Sequence, residues 1–172
     1  MKVNLMHARN LSCIAVMAAL ELLIFTSFSY ILYLECITFT LVVFALIFPR
    51  KQAVLAAFVF TTLNMMIQGV TPWSFMYLLL YPLYSLLISV FAKCLKKHFL
   101  FAAFLCGLFS FLTGQFLQLP FMLFSKHLAL AYFIVGLKAS TIQFILSFCL
   151  YLVCARPVLS VLERIERRFL YE

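Results

Sequence analysis

Aspartate is absent from this chain of 172 residues, and its acidic residues are five glutamates. Motifs built on paired aspartates for metal-dependent lipid transfer are therefore excluded. Charged residues of all kinds make up 10% of the chain, where a soluble domain carries about a quarter. No serine stands in a GxSxG context, which removes the nucleophile elbow of the hydrolases. No GxxxxGK[ST] run occurs, so any ATP-driven work needs a partner protein. The three histidines, 7, 98 and 127, fall at or outside the ends of apolar runs, so paired axial haem ligands within spans are missing. The six cysteines stand singly at 13, 36, 94, 106, 149 and 154, with no CxxC pair. Free cysteine behaves as a small buried hydrophobe, and that reading is preferred here over metal or disulfide work. Neither catalysis, a metal nor a cofactor is expected.

What the chain has is apolar surface. It is 67% hydrophobic with a mean hydropathy of +1.15, and it contains 21 Phe and 8 Tyr. That composition predicts an integral membrane protein with aromatic interfacial belts. The net charge of +8 reads first as a topology signal. No basic run is interleaved with aromatics in a soluble segment, and nucleic acid is set aside. The N-terminus imitates a signal peptide, but a cut at Ala15 to Ala19 leaves an apolar core of only about four to eight residues, at or below the lower limit. It reads as an uncleaved first span.

A span needs about 20 apolar residues, somewhat fewer when buried among others. Six segments qualify: 11–34, 36–48, 53–68, 74–92, 99–119 and 129–155. The expected fold is one all-α membrane domain, a bundle of six transmembrane helices. With six spans, eleven of the thirteen Lys and Arg fall on one side: Lys2, Arg9, Arg50, Lys51, Lys93, Lys96, Lys97, Arg156, Arg164, Arg167 and Arg168. The positive-inside rule then makes both termini cytoplasmic in a multi-pass cell-membrane protein. Residues 158–172 alternate Val158, Leu159, Val161, Leu162, Ile165 and Phe169 with Glu163, Arg164, Arg167 and Arg168. They read as an amphipathic helix on the inner membrane face or, equally well, as a solvated basic tail.

Polar groups inside the spans carry the functional information. Glu21 lies near the middle of the first span; a carboxyl there is costly and a functional candidate by default. Asn64 and Gln68 share a face of the third, and Gln115 and Gln118 a face of the fifth, each pair one turn apart. The sixth holds Lys138, Ser140, Thr141 and Gln143. Lys138 lies roughly 13 Å below the outer end of its span. It either pairs with Glu21, snorkels, or faces substrate in an outward-open pocket. Tyr77, Tyr81 and Tyr84 form a stripe along the fourth span, which Trp73 heads; Tyr30 and Tyr33 lie at the outer end of the first. Helix packing and interfacial anchoring account for the tyrosines better than a binding role does.

Ala15-Val16-Met17-Ala18-Ala19 supplies an AxxxA pattern, Ala155-Arg156-Pro157-Val158-Leu159 closes the sixth span, and Pro72 to Leu78 with Tyr81-Pro82-Leu83 marks the fourth. With six short spans and a basic N-terminus, these segments resemble the substrate-binding S component of energy-coupling factor (ECF) vitamin transporters. The resemblance covers nearly the whole chain. It implies capture of a vitamin or related micronutrient outside the cell for ATP-driven uptake. The implied partners are a transmembrane scaffold subunit and two cytoplasmic ATPases, the scaffold docking on Ala15 and Ala19. It implies substrate contacts at Tyr33, Trp73, Tyr77, Tyr81, Gln115, Gln118, Lys138 and Thr141. Glu21 departs from it, in a helix that is usually more apolar. The aromatic residues favour a flat ring, and Lys138 with Lys126 favours an acidic group. The alternatives are a stand-alone transporter using Glu21 as its relay, or a non-catalytic membrane scaffold.

Overall fold

The structure is a computed structural model. It describes the backbone of residues 2–31, 33–123 and 125–171, and the side chains of residues 8–31, 33–122, 125–127 and 129–168. Lys2 and Phe169, named above for charge and amphipathicity, fall outside the described side chains. The described chain is α-helical: α1 (Lys2–Phe28), α2 (Cys36–Ile47), α3 (Arg50–Gln68), α4 (Pro72–Lys97), α5 (Phe99–Phe116) and α6 (Lys126–Tyr171), with a 3-10 turn at Leu119–Leu123. Four stretches are long and apolar enough to cross a membrane: Ala8–Phe28, Pro72–Lys97, Phe99–Met122 and Ala129–Arg168.

The second helix differs from a lipid-facing span. It has 12 residues, roughly 18 Å of helix, against a hydrocarbon core of about 30 Å. Every residue of α2 except Phe39 is buried. A helix that is apolar all round is one surrounded by protein, and α2 packs against α1, α3, α4, α5 and α6. It is the post around which the longer helices stand.

Local chemistry sets the ends. Pro49 precedes α3 and Gly69, at φ +88° and ψ 165°, follows it; that backbone region is open essentially to glycine alone. Thr71 caps α4: its hydroxyl accepts from Ser74 N at 3.1 Å, while Thr71 N donates back to Ser74 Oγ at 3.4 Å. Pro72 takes the first helical position, where its missing N–H costs nothing. Most hydroxyls within the helices return to their own backbone, as Thr26 does to Leu22 O, Thr61 to Ala57 O and Thr141 to Leu137 O. That satisfies them without a partner helix.

Two boundaries depart from the sequence reading. The first helix stops at Phe28 rather than running to 34, so residues 29–31 and 33–35 belong to a connection. The tail does not separate at Arg156-Pro157. Instead α6 continues through Pro157 for 46 residues in all, roughly 69 Å. Leu162 and Ile165 share an apolar cleft with Cys13, Met17, Phe44 and Phe48, and the Arg9 guanidinium donates to the carbonyl of Arg168 at 3.0 Å. Val158, Leu159 and Leu162 pack against the buried core, while Val161 and Ile165 stay exposed. This end of the bundle also holds Lys96 and Glu163 beside Ile47, and Arg156 over the Phe99 ring at 5.0 Å.

Candidate functional site

At the opposite end, Ser29, Ile31, Tyr33, Leu34 and Glu35 of the α1–α2 connection help to line an open cavity of about 250 Å³. Its walls come from the last turns of α1 (Ile24, Phe25, Phe28), the first half of α4 (Tyr77, Tyr81), the second half of α5 (Thr113, Gly114, Leu117) and Gln143 of α6. Tyr33, at φ +65°, turns the connection so that Leu34 and Glu35 line the cavity. A non-glycine residue seldom adopts that conformation, and residues held there cluster at ligand sites.

Glu35 is the centre of the site. It stands immediately before α2 as its N-cap residue, but its carboxylate does not cap that helix. Oε1 accepts from Thr38 Oγ1 at 2.9 Å and from the Tyr81 hydroxyl at 3.3 Å. Oε2 accepts from Ser110 Oγ at 2.5 Å. Ser147 Oγ donates onward to Ser110 Oγ at 2.9 Å. One carboxylate thus joins α2, α4, α5 and, through Ser110, α6. A carboxylate offers about four lone-pair sites. Three hydroxyls occupy three of them, and the Thr113 hydroxyl, which donates to Phe109 O at 2.8 Å, also stands close to the carboxylate.

The aromatic wall is rigid for a packing reason. Tyr77 and Tyr81, one turn apart, stack with centroids 5.2 Å apart and planes 12° from parallel. Phe60 stacks behind Tyr81 at 5.9 Å, and Phe25 meets Tyr77 edge-on at 5.5 Å. Gly107 and Gly114 bring α5 close to α6. A Cβ at Gly107 would stand 2.9 Å from the Phe144 carbonyl oxygen, and one at Gly114 would stand 2.7 Å from Gln143 Oε1. Small residues permit such approach between membrane helices.

The sequence-derived residues divide. Tyr33, Tyr77 and Tyr81 line the cavity. Gln115 is buried beside it, donating to Ser140 Oγ at 2.7 Å. Trp73 is exposed and packs on Phe121 at 5.7 Å. Gln118 is half-buried, while Thr141 and Lys138 are exposed; none of the three lines the cavity. Glu21 is completely buried, and neither oxygen finds a hydrogen-bond partner among the described residues. A Glu21–Lys138 pair is therefore not formed. Asn64, Tyr84 and Ser85 also keep buried polar atoms without partners. Ala15 and Ala19 lie exposed on α1, alongside exposed Ser12, Val16 and Leu23.

Glu35 itself escaped the sequence reading. With spans drawn at 11–34 and 36–48 it fell in the joint between them and was given no role. A signal was available: before residue 158, Glu21 and Glu35 are the sole acidic residues. Among the described residues, no group of three or more His, Cys, Asp or Glu could hold a metal ion. Comparison of the chain with protein-family models, curated proteins and solved structures finds no match.

Proposed function

We propose that this chain is the membrane-embedded substrate-binding subunit of an ECF-type importer, holding a vitamin-like small molecule in the Glu35 cavity. In this reading all six helices belong to the membrane domain, with α2 and α3 sheltered among the others. Both termini and the basic end face the cytoplasm, and the cavity opens outward. Binding is the subunit's work, and ATP hydrolysis belongs to partner subunits. The observation that carries the reading is a lined cavity with a hydrogen-bonded carboxylate, at the end of the bundle opposite Arg9, Lys96, Arg156 and Arg168. Exposure of Ala15 and Ala19 on α1 supports a docking face for a scaffold helix.

The test is mass spectrometry of the protein purified in lipid nanodiscs. One small molecule should be retained at near-equimolar amount and released on denaturation. A preparation that carries no compound, and that gains none from growth-medium extract, overturns the proposal.

A second reading draws on the unpartnered carboxyl of Glu21: a stand-alone carrier in which that group relays a proton. Uptake into proteoliposomes holding this chain alone, abolished by Glu21→Gln, would establish it. Uptake that requires ATPase partners and survives Glu21→Gln favours the first.

A further inference from the structure

The cavity around Glu35 has a sign. Among its lining residues Glu35 is the sole charged one; no Lys, Arg or His contributes. The groups that act on the carboxylate among the described residues are neutral hydroxyls, from Thr38, Tyr81 and Ser110 and from Thr113. Burial pushes the Glu35 carboxyl up to about 7, while the surrounding hydroxyls pull it down without supplying any compensating charge. A carboxylate drawn among apolar helices without a counter-ion is costly, and a bound cation would relieve that cost. The remaining walls point the same way. The rings of Tyr77, Tyr81, Phe25 and Phe28 line the same space, and aromatic rings attract a cation over any face left open. Gln143 lines the same space, and its Oε1 is an acceptor with no donor among the described residues. Lys138 and Lys126, which on sequence favour an acidic ligand, are exposed and lie outside the lining.

We propose that the Glu35 cavity selects a small, flat organic cation bearing N–H groups, such as a protonated amine or amidine-type heterocycle, and rejects anions. The inference rests on the reading of this cavity as the substrate site. The ligand's N–H donates to the Glu35 carboxylate, and its ring lies beside Tyr77, which lines the cavity. A bare divalent ion fits poorly, because hard cations require about six oxygen ligands and the site offers one carboxylate. The volume of about 250 Å³ falls below the usual range for drug-sized ligands, about 300–1,000 Å³, so the ligand is small.

Three probes of nearly the same shape separate charge from fit: benzamidine (cation), benzamide (neutral) and benzoate (anion). They would be titrated calorimetrically against the full chain in nanodiscs, and any co-purified compound would be identified by mass. Benzamidine should bind at least about tenfold tighter than benzamide, with benzoate weakest. Glu35→Gln should abolish that order. Glu35→Asp, which keeps the charge, should preserve it and controls for misfolding of the amide variant. Benzoate binding as tightly as benzamidine, or an order that survives Glu35→Gln, overturns the cation inference and leaves the cavity as a substrate site. A co-purified compound decides by its own charge: a cation supports the inference, and a neutral or anionic one overturns it. If none of the three probes binds and nothing co-purifies, the substrate-site reading fails and the inference fails with it.

Discussion

The Ser110 hydroxyl donates to the Glu35 carboxylate across 75 positions of sequence, tying the middle of α5 to the residue that opens α2. Through that bond, and through Tyr81 and Thr38, the order of the cavity depends on the packing of α2, α4 and α5. Ser110→Ala should weaken binding of the retained ligand by roughly tenfold and lower stability by about 1–3 kcal/mol. Tyr81→Phe, which removes the longer bond at 3.3 Å but keeps the stacked ring, should cost less. Thermal unfolding and calorimetry on the two variants check the order; a larger loss in Tyr81→Phe than in Ser110→Ala would reverse it.

Gly107 is predicted to be a steric requirement of the α5–α6 contact. A Cβ there would lie 2.9 Å from a backbone carbonyl of α6, which cannot rotate away as a side chain can. Gly107→Ala should therefore force the helices apart and destabilise by about 1–3 kcal/mol, seen as a lower melting temperature in nanodiscs. An unchanged melting temperature would mean that α5 slides freely past Phe144.

Lys138 is exposed and outside the cavity lining, so Lys138→Met should leave ligand affinity within about twofold, since exposed substitutions away from special features usually act within about 0.5 kcal/mol. A loss of tenfold or more in direct binding would return Lys138 to the site, and with it the acidic-ligand expectation.

Ala15 and Ala19 lie on an exposed strip of α1, so tryptophan there meets no interior neighbour. The double variant Ala15→Trp, Ala19→Trp should keep its melting temperature and its ligand, yet fail to co-purify with scaffold and ATPase subunits. Intact co-purification would remove the docking role from this face.

Much of the architecture was legible before any coordinates. Apolar run lengths, Pro49, Gly69, Thr71-Pro72 and the Lys93–His98 cluster mark where helices begin and end, because these residues act on the backbone within one or two turns. The tyrosine stripe at 77 and 81 was legible for the same reason: helical periodicity places both on one face. Lys138 misled because depth along a helix says nothing about which way the helix is turned. The tail's amphipathicity marks an apolar face without showing what stands beside it: Leu162 and Ile165 line one cleft with Cys13, Met17, Phe44 and Phe48.

The sequence by itself determined an all-helical, membrane-compatible chain with a basic end, since composition and charge are sums over residues and need no neighbours. Only the tertiary structure decided that α2 is the buried post and that Glu35 is the centre of a site. Its carboxylate acquires meaning from Tyr81, Ser110 and, through Ser110, Ser147, residues 46 to 112 positions away. Their convergence is fixed by how the helices pack and is recorded in no local pattern.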